Sequence, residues 1–368
     1  MTERDRAAPG DGLAPASTAL PGGAGPLETL AGPPRSQWLN VWDRFRRHKG
    51  AMTGAAIFAL VVLAVFAGPL LWPPDATLID ISARNTRALT ACFSEGEPWG
   101  WEGPAAAMSR FFAHIGAVAQ CFANPETASA RISWAHPLGT DQLGRDILAR
   151  MLMGGRISVS VGIAAMLLAL GLGSAIGVVA GFFRRLDGPL MRLTDLFLAL
   201  PLLPLLLVMM LLFREPLSGA FGPERGIFIL IVCAIGVTSW MPTARIVRAD
   251  VLALKEREFM LAARSIGTSD SRMITRHILP NVLSPIMVSA TLGIATAIIT
   301  ESALSFLGLG FPPDFPTWGR LLFDATDYLQ QYPERVIWPG LAISLTVLSV
   351  NYLGDGLRDA LDPRGGGR

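Results

Sequence analysis

Metal ligands and nucleophiles are scarce in this sequence. Its 368 residues include only three cysteines and four histidines. Cys92, Cys121 and Cys233 have no metal-ligand spacing and the histidines are scattered, so no metal site is indicated. The sequence also lacks a Gly-x4-Gly-Lys-Ser/Thr phosphate loop and any catalytic constellation. Neither an ATPase site nor another enzyme active site is therefore predicted in this chain.

Charge is scarce as well. Charged residues make up 16% of the chain and the formal net charge is +2, so nucleic acid is not indicated as a partner. Hydrophobic residues, by contrast, make up 51% and occur in long runs. An apolar run of about 20 residues is long enough to cross a bilayer as a helix. The composition therefore predicts an all-α, polytopic membrane protein in contact with lipid.

The first residues differ from the rest. Residues 1–37 are rich in Ala, Gly and Pro and lack the apolar core of a signal peptide, which predicts a disordered cytoplasmic tail. Residues 38–74 are predicted to form an interfacial helix, with aromatic and basic residues mixed, and a first transmembrane helix at Ala51–Trp72. A solvated charge run is the alternative to the interfacial helix.

A polar stretch follows the first span. Residues 75–150 are predicted to form an extracytoplasmic insertion and an amphipathic segment, in which Thr140 or Asp141 caps a helix. Cys92 and Cys121 both lie in the insertion, where an oxidising compartment would permit a disulfide. Two unpaired thiols are the alternative.

Residues 151–356 are predicted to form a core of five further transmembrane helices. Their predicted bounds are Ile157–Phe183, Leu196–Phe213, Gly226–Pro242, Val282–Leu307 and Trp338–Leu353. Arginines are concentrated in the segments that six spans place inside the cell, as the positive-inside rule requires. Arg214–Arg225 and Gly308–Glu334 become outer loops, and residues 357–368 form a cytoplasmic tail. Both termini are thus predicted to be cytoplasmic.

The loop at residues 244–281 is charged and helix-prone, unlike the spans on either side. It is predicted to form two short amphipathic helices joined at Gly267, which suits the left-handed residue that ends a helix. Ser269 or Asp270 can cap the second helix, and Pro280 bends or ends it. An apolar stripe at helical spacing consists of Phe259, Met260, Ala263 and Ile266. The stripe packs against the protein's own core or is offered to a partner.

Glu301 is the one acid well inside a predicted span. Because an intramembrane carboxylate faces the bundle interior or a water-filled path, Glu301 is a candidate pathway residue. The alternative is a structural hydrogen bond to Ser or Thr on a neighbouring helix.

Four motifs carry a family resemblance. They are Ala262-Ala263-x3-Gly267 followed by His277-Ile-Leu-Pro280, Leu138-Gly-Thr-Asp-Gln-Leu-Gly-Arg-Asp146, Glu301-Ser-Ala-Leu-Ser-Phe-Leu-Gly-Leu-Gly310 and Gly354-Asp-Gly-Leu-Arg-Asp-Ala-Leu-Asp-Pro363. Together they resemble the permease subunits of bacterial dipeptide/oligopeptide ABC importers, from about Trp42 to Arg364. Leu261 replaces the Glu that usually opens the first motif, and His277 stands at a position usually held by Ile.

The resemblance implies a type I ABC importer permease fold in the bacterial inner membrane. The cytoplasmic loop of this family docks into a groove on a separate ATPase, which holds ATP and Mg²⁺; this chain needs no cofactor. Residues carried over to that docking role are Glu258, Phe259, Ala262, Ala263, Gly267, Ser269, Asp270, His277 and Pro280. A second homologous permease and an extracytoplasmic substrate-binding protein are further implied partners.

Substrate and mechanism remain open at this point. The branch transports dipeptides, oligopeptides, nickel chelates, glutathione and opines, and the motifs do not choose among them. A secondary transporter or channel with an ordinary cytoplasmic loop is the alternative class. It would require coupling-ion acids or broken helices in paired halves, whereas the sequence has one buried acid and no inverted repeat.

Overall fold

The computed structural model describes residues 37–72, 75–94, 104–123 and 132–361. The predicted disordered tail, residues 1–37, lies outside these ranges except for Gln37, which begins a helix. The chain divides into a short unit, Met1–Asn40, and a main unit, Val41–Arg368. Helices dominate the described ranges, which contain no β-strand and only two isolated bridges. The predicted all-α class is confirmed.

Five of the described helices are long and apolar enough to cross a membrane. They are α2 (Lys49–Leu71), α4 (Ile147–Phe182), α6 (Leu202–Phe221), α11 (Leu279–Phe306, part of a continuous helix from Asp270 to Phe306) and α13 (Glu334–Leu361). A sixth crossing forms if α7 (Pro223–Thr238) and α8 (Met241–Lys255), which meet at a 42° bend, are one span. The sequence and the structure thus agree on up to six spans.

Six further helices lie in the described ranges. They are α1 (Gln37–Arg47), α3 (Pro104–Ala123), α5 (Arg184–Ala199), α9 (Glu258–Ser265), α10 (Asp270–Met273) and α12 (Trp318–Thr326). A π-helical turn, Ile274–Ile278, joins α10 to α11, and two short 3-10 helices, Ile81–Ala83 and Leu89–Ser94, lie in the insertion. The predicted outer loop Gly308–Glu334 therefore contains a helix, α12.

The predicted cap of the helix before the second span is wrong. α4 begins at Ile147, ten residues before the predicted span, and its cap is Asp146, whose carboxylate accepts a hydrogen bond from the backbone N–H of Ala149 at 2.7 Å. Asp141 instead accepts hydrogen bonds from the backbone N–H groups of Leu143 and Arg145. The predicted cap therefore stabilises a turn, and the helix starts at the next acid.

Two predicted chain segments outside the spans are also wrong. Arg214–Arg225 is not a loop, because α6 continues to Phe221 and α7 starts at Pro223; the turn is Gly222 alone, at φ 84°. The predicted tail is helical from residue 357 to Leu361, where α13 ends. Residues 362–368 lie outside the described ranges.

α4 lies at the centre of the main unit and contacts α2, α7, α8 and α11. Gly173, Gly177 and Gly181 on α4 face α8. A Cβ added at any of the three would lie 2.6–2.7 Å from an atom of Trp240 or α8. Such contacts are too short for any side chain, so the glycines allow α4 and α8 to pack at close range.

The start of α2 and the end of α13 are joined through His48. Its Nδ1 accepts a hydrogen bond from the backbone N–H of Ala51 at 3.0 Å and so caps α2. Its Nε2 lies 3.4 Å from Asp359 Oδ2 on α13. The first and last spans are therefore held together at this end.

Candidate functional site

In the loop at residues 244–281, α8 continues to Lys255 and two helices joined at Gly267 follow. The first, α9, is short as predicted, but the second runs from Asp270 through the π-helical turn and Pro280 into α11 as one helix. Residues 256–280 are called here the coupling segment, after their predicted role. The last turn of α9 is closed by the N–H of Gly267, which donates to Arg264 O at 3.0 Å, and that of Thr268, which donates to Ala263 O at 3.1 Å. Gly267 has φ 78°, the left-handed conformation that ends many helices. The reversal at Gly267 therefore has the geometry that the sequence predicts.

The apolar stripe on this segment divides between two surroundings. Met260 and Met273 are buried in a cluster with residues of α4, α8 and α11, and Ala263 is also buried. Phe259 is 43% exposed, and Ile266 is 84% exposed. Leu261, which replaces the usual Glu of the motif, is 48% exposed. One side of α9 thus packs on the protein's own core, and another presents apolar groups to solvent.

The other predicted docking residues lie in the same segment. Glu258 and Asp270 occupy the first turns of α9 and α10, where their negative charge interacts favourably with the helix dipole. Ser269 precedes α10, but its side chain makes no capping hydrogen bond. The half-buried His277 ring lies 6.2 Å from that of Phe259, centroid to centroid. The remaining two are exposed: Ala262 on α9, and Pro280 in the first turn of α11.

Three contacts that the sequence did not predict fasten the approach to the coupling segment. Arg248 on α8 forms a bidentate ion pair with Asp187 on α5 and lowers the pKa of that carboxyl through its hydrogen bond. Arg245 pairs with Asp195 at 2.5 Å. Lys255 Nζ, at the end of α8, donates to the last carbonyls of α4, at 3.2 Å to Gly181 O and 2.9 Å to Phe182 O.

A cavity of about 860 Å³ adjoins the coupling segment. Its walls come from the end of α5, the start of α6, the α7–α8 bend, α8, α11 and the end of α13. Most of the wall is apolar, with hydroxyl groups from Thr238, Ser239, Thr243, Ser284, Ser289 and Thr296. Thr243 Oγ1 and Ser289 Oγ are hydrogen-bonded at 2.8 Å, and Asp250 and Arg358 are its two charged lining residues. A largely apolar cavity with a few polar groups is typical of a small-solute site.

Glu301 does not line this cavity. Its side chain is fully buried and accepts a hydrogen bond from Ser305 Oγ, one turn away on the same helix, at 2.7 Å. Its Oε2 is buried and makes no hydrogen bond to any described residue. The hydroxyl groups of Ser158 on α4 and Thr317, the N-cap of α12, lie near the carboxyl group. Glu301 therefore lies among polar groups of three chain segments rather than on the wall of the cavity.

Cys92 and Cys121 are disulfide-bonded, with the two sulfur atoms 2.07 Å apart. Both are buried, together with Leu89, Ala91 and Ile132, in a small apolar cluster of the insertion. The bond links the second 3-10 helix to α3.

The long apolar helices and the bent α7–α8 pair together define a multi-span membrane protein. A family model described as "Binding-protein-dependent transport system inner membrane component" matches residues 161–365, more than half of the chain. A second model, the N-terminal TM domain of oligopeptide transport permease C, matches residues 36–88. The chain belongs to the family of binding-protein-dependent transport inner membrane components.

Curated relatives agree with this assignment. The oligopeptide transport system permease protein OppC of Bacillus subtilis is 34% identical over 342 residues, which cover 93% of this chain and 94% of the relative. The dipeptide transport system permease protein DppC of Alkalihalophilus pseudofirmus is 40% identical over 242 residues, covering 66% of this chain and 76% of the relative. The protein is therefore a permease subunit of an ABC importer in the inner membrane, a transport component and not an enzyme.

Proposed function

We propose that residues 255–280 couple this permease to a separate ATPase subunit, which holds ATP and Mg²⁺. The exposure of Phe259, Leu261 and Ile266 beside two buried methionines carries this proposal. Contiguous exposed apolar groups on an otherwise anchored helix are typical of a docking surface. Burying them in a partner's groove would stabilise the complex by about 25 cal/mol for each Å² of apolar area removed from water.

The contacts around α8 support transmission of motion from this surface to the spans. Lys255 joins the end of α8 to the end of α4, and Met260 packs in the same cluster as Val178 of α4. Displacing α9 therefore displaces α8 and α4 with it, since close-packed elements move as units rather than deform.

The cavity is proposed to be this chain's part of the transport path, closed on its open side by a second homologous permease. An extracytoplasmic binding protein would deliver the substrate. Because OppC and DppC are named as oligopeptide and dipeptide permeases, a peptide is the proposed substrate. The mixed apolar and hydroxyl wall suits a solute with both backbone amide groups and apolar side chains.

A matched pair of substitutions tests the docking surface. Leu261→Asp places a charge on the coupling segment, and Leu329→Asp places one after α12; the two leucines are 48% and 51% exposed. We expect Leu261→Asp to reduce co-purification of the ATPase and ATP-driven uptake by about tenfold or more, since each 1.4 kcal/mol lost at an interface is a factor of ten. Leu329→Asp should keep both. Equal behaviour of the two variants would reject the docking role.

The proposed orientation has both termini in the cytoplasm. It is tested by single cysteines introduced in a Cys233→Ser background. A cysteine at Ser269 should be shielded from membrane-impermeant maleimide in intact cells, and one at Ala220, at the end of α6, should react. The opposite labelling pattern would reverse the topology and exclude an ATPase partner at the coupling segment.

Energy source and substrate separate the proposal from a secondary transporter. Proteoliposomes that contain the assembled complex and its binding protein should accumulate labelled di- or oligopeptides only when ATP is supplied on the side of the membrane that the ATPase faces. Uptake driven by an ion gradient without ATP would support the alternative class, and transport of nickel chelates or glutathione instead of peptides would change the substrate alone.

A further inference from the structure

Five arginines lie close together where the insertion meets the ends of α4, α12 and α13. We call them the arginine cluster: Arg87, Arg145, Arg150, Arg320 and Arg335. Three of the five have a carboxylate of their own. Arg87 Nε lies 3.1 Å from Glu334 Oε1, Arg145 Nε 2.7 Å from Asp141 Oδ2, and Arg320 Nε 2.9 Å from Asp324 Oδ1.

The other two guanidinium groups have no carboxylate of their own, although Arg335 Cζ lies 4.2 Å from the centroid of the Tyr332 ring and 5.4 Å from that of Tyr328. Arg150, only 1% exposed, shares carboxylates that other arginines already hold, at 3.5 Å to Asp141 and 3.4 Å to Asp324. Arg335, 5% exposed, has no carboxylate partner within the described residues. Its Nη2 instead donates to Asn85 Oδ1 at 2.9 Å and to Thr140 O at 2.7 Å. Burying a cation without an opposite charge is costly, so a missing partner is expected here.

Unsatisfied N–H groups of both arginines occur beside a common cavity. Arg150 Nε and Nη1 and Arg335 Nη1 are buried and make no hydrogen bond to any described residue. Both side chains line a cavity of about 20 Å³, together with Gln142 and the two carboxylates that Arg145 and Arg320 hold. A space of this size accommodates one particle about as large as a water molecule.

We propose that this cavity binds a small monovalent anion of the size of chloride. The five arginines share three carboxylates, those of Asp141, Asp324 and Glu334. A water molecule would satisfy the free N–H groups without adding negative charge, whereas a halide provides both acceptor and charge. Bound between Arg150 and Arg335, the ion would join the first turn of α4 to the first turn of α13. Because Arg335 also holds Asn85 and Thr140, the ion would fasten the insertion to the bundle.

Halide dependence of stability tests the site in the purified, assembled transporter. Sodium chloride and sodium bromide should raise its apparent melting temperature by a few degrees over sodium gluconate at equal ionic strength, with saturation, because a ligand bound only by the folded state stabilises it. Bromide should also give an anomalous scattering peak between Arg150 and Arg335 in crystals. Equal melting in chloride and gluconate, or no bromide peak, would show that the cavity holds water only.

A charge-replacing variant keeps the test decisive where removal of an arginine prevents folding. Gln142→Glu places a tethered carboxylate on the cavity wall. It should keep wild-type stability in gluconate or increase it, and abolish the response to chloride. Gln331→Glu, an exposed position just before α13, is the matched control and should retain the full response. A chloride response that survives Gln142→Glu unchanged would place the anion elsewhere and overturn the proposal.

Discussion

The coupling segment and the arginine cluster differ in which groups they leave without a partner. The coupling segment keeps Phe259, Leu261 and Ile266 in solvent, although its other side is well packed. The arginine cluster instead buries Arg150 and Arg335 and surrounds them with backbone and carboxylate contacts. Exposed apolar groups suit a surface that a protein partner covers, while buried N–H groups of uncompensated cations suit a small enclosed anion. The proposed docking surface and the proposed anion site therefore lie in separate parts of the main unit.

Gly267→Val is expected to have the largest effect. An added Cβ meets no heavy atom within 4 Å, but φ is 78°, so the cost is backbone strain of about 1 kcal/mol or more and a changed angle between α9 and α10. Uptake should be lost while the subunit stays at normal abundance in the membrane. Gly188→Val, where a Cβ is equally unobstructed and no positive φ occurs, should transport normally. Normal uptake by Gly267→Val would show that the backbone geometry at Gly267 is not needed for transport, and the coupling segment would then be an ordinary connection.

Gly177→Ala should have the next largest effect, because the added methyl group would push α4 away from α8. α4 extends from the arginine cluster to the end of α8. The added Cβ would lie 2.7 Å from Ala244 O on α8. Overpacking of this kind costs about 1–3 kcal/mol, so both thermal stability and coupled uptake should fall. Gly171→Ala on the same helix, with no atom within 4 Å of its Cβ, should be neutral. Similar results for the two glycines would show that the α4–α8 contact is not required.

Loss of the disulfide should destabilise the insertion alone. The double variant Cys92→Ser/Cys121→Ser is expected to lower stability by about 2–4 kcal/mol, as measured by thermal denaturation. ATPase co-purification should be unchanged, because the coupling segment shares no contact cluster with the cysteines. Cys233→Ser, which removes a free thiol, provides the control. Weaker ATPase binding in the double variant would mean that the regions are energetically linked.

Glu301 is proposed to act through hydrogen bonds rather than as a proton carrier. Glu301→Gln keeps an acceptor for Ser305 Oγ and should retain most uptake, whereas Glu301→Leu leaves buried hydroxyl groups unpaired, at about 1–3 kcal/mol. Uptake and membrane abundance are the measurements. If Gln is as damaging as Leu, the charge itself is needed and Glu301 belongs to the mechanism.

Asp187→Asn should have the smallest effect, about 1 kcal/mol or less, because its ion pair with Arg248 is partly exposed. The Arg248 hydrogen bond lowers the pKa of Asp187 in the folded state. The contribution is therefore complete above the unfolded pKa of about 3.9 and is lost only as pH falls through the lower folded value. The difference in melting temperature between variant and wild type should be constant from about pH 5 to pH 8. If the difference in melting temperature changes between about pH 5 and pH 8, a group other than the Asp187 carboxyl must titrate in that range.

The sequence predicted the number of spans because each apolar run is long, but it did not predict where several of them end. Asp141 and Asp146 both suit a helix cap, and only the contacts of Asp141 with Arg145 and Arg150 decide between them. The Arg214–Arg225 stretch is polar enough to suggest a loop, yet Gly222 alone makes the turn. Local composition cannot reveal such a choice, because it depends on tertiary contacts.

The site shows the same limit. Helix periodicity assigned Ala263 and not the exposed Ala262 to the apolar stripe, but it could not separate the buried members of the stripe, Met260 and Ala263, from the exposed ones, Phe259 and Ile266. The pairs Arg248–Asp187 and Lys255–Gly181 link residues far apart in the chain, so no local pattern indicates them. These contacts can be identified only from the three-dimensional structure.

α4 starts from the Asp146 cap beside the arginine cluster and ends where Lys255 binds its last carbonyl groups. Its 36 residues contain no proline and, at 1.5 Å per residue, make a rod about 54 Å long. Such a rod converts a tilt at one end into a displacement at the other without any relay of side-chain rearrangements. In the proposed docking role, a shift of the coupling segment by a few ångströms would therefore move the Asp146 end of α4 by leverage alone.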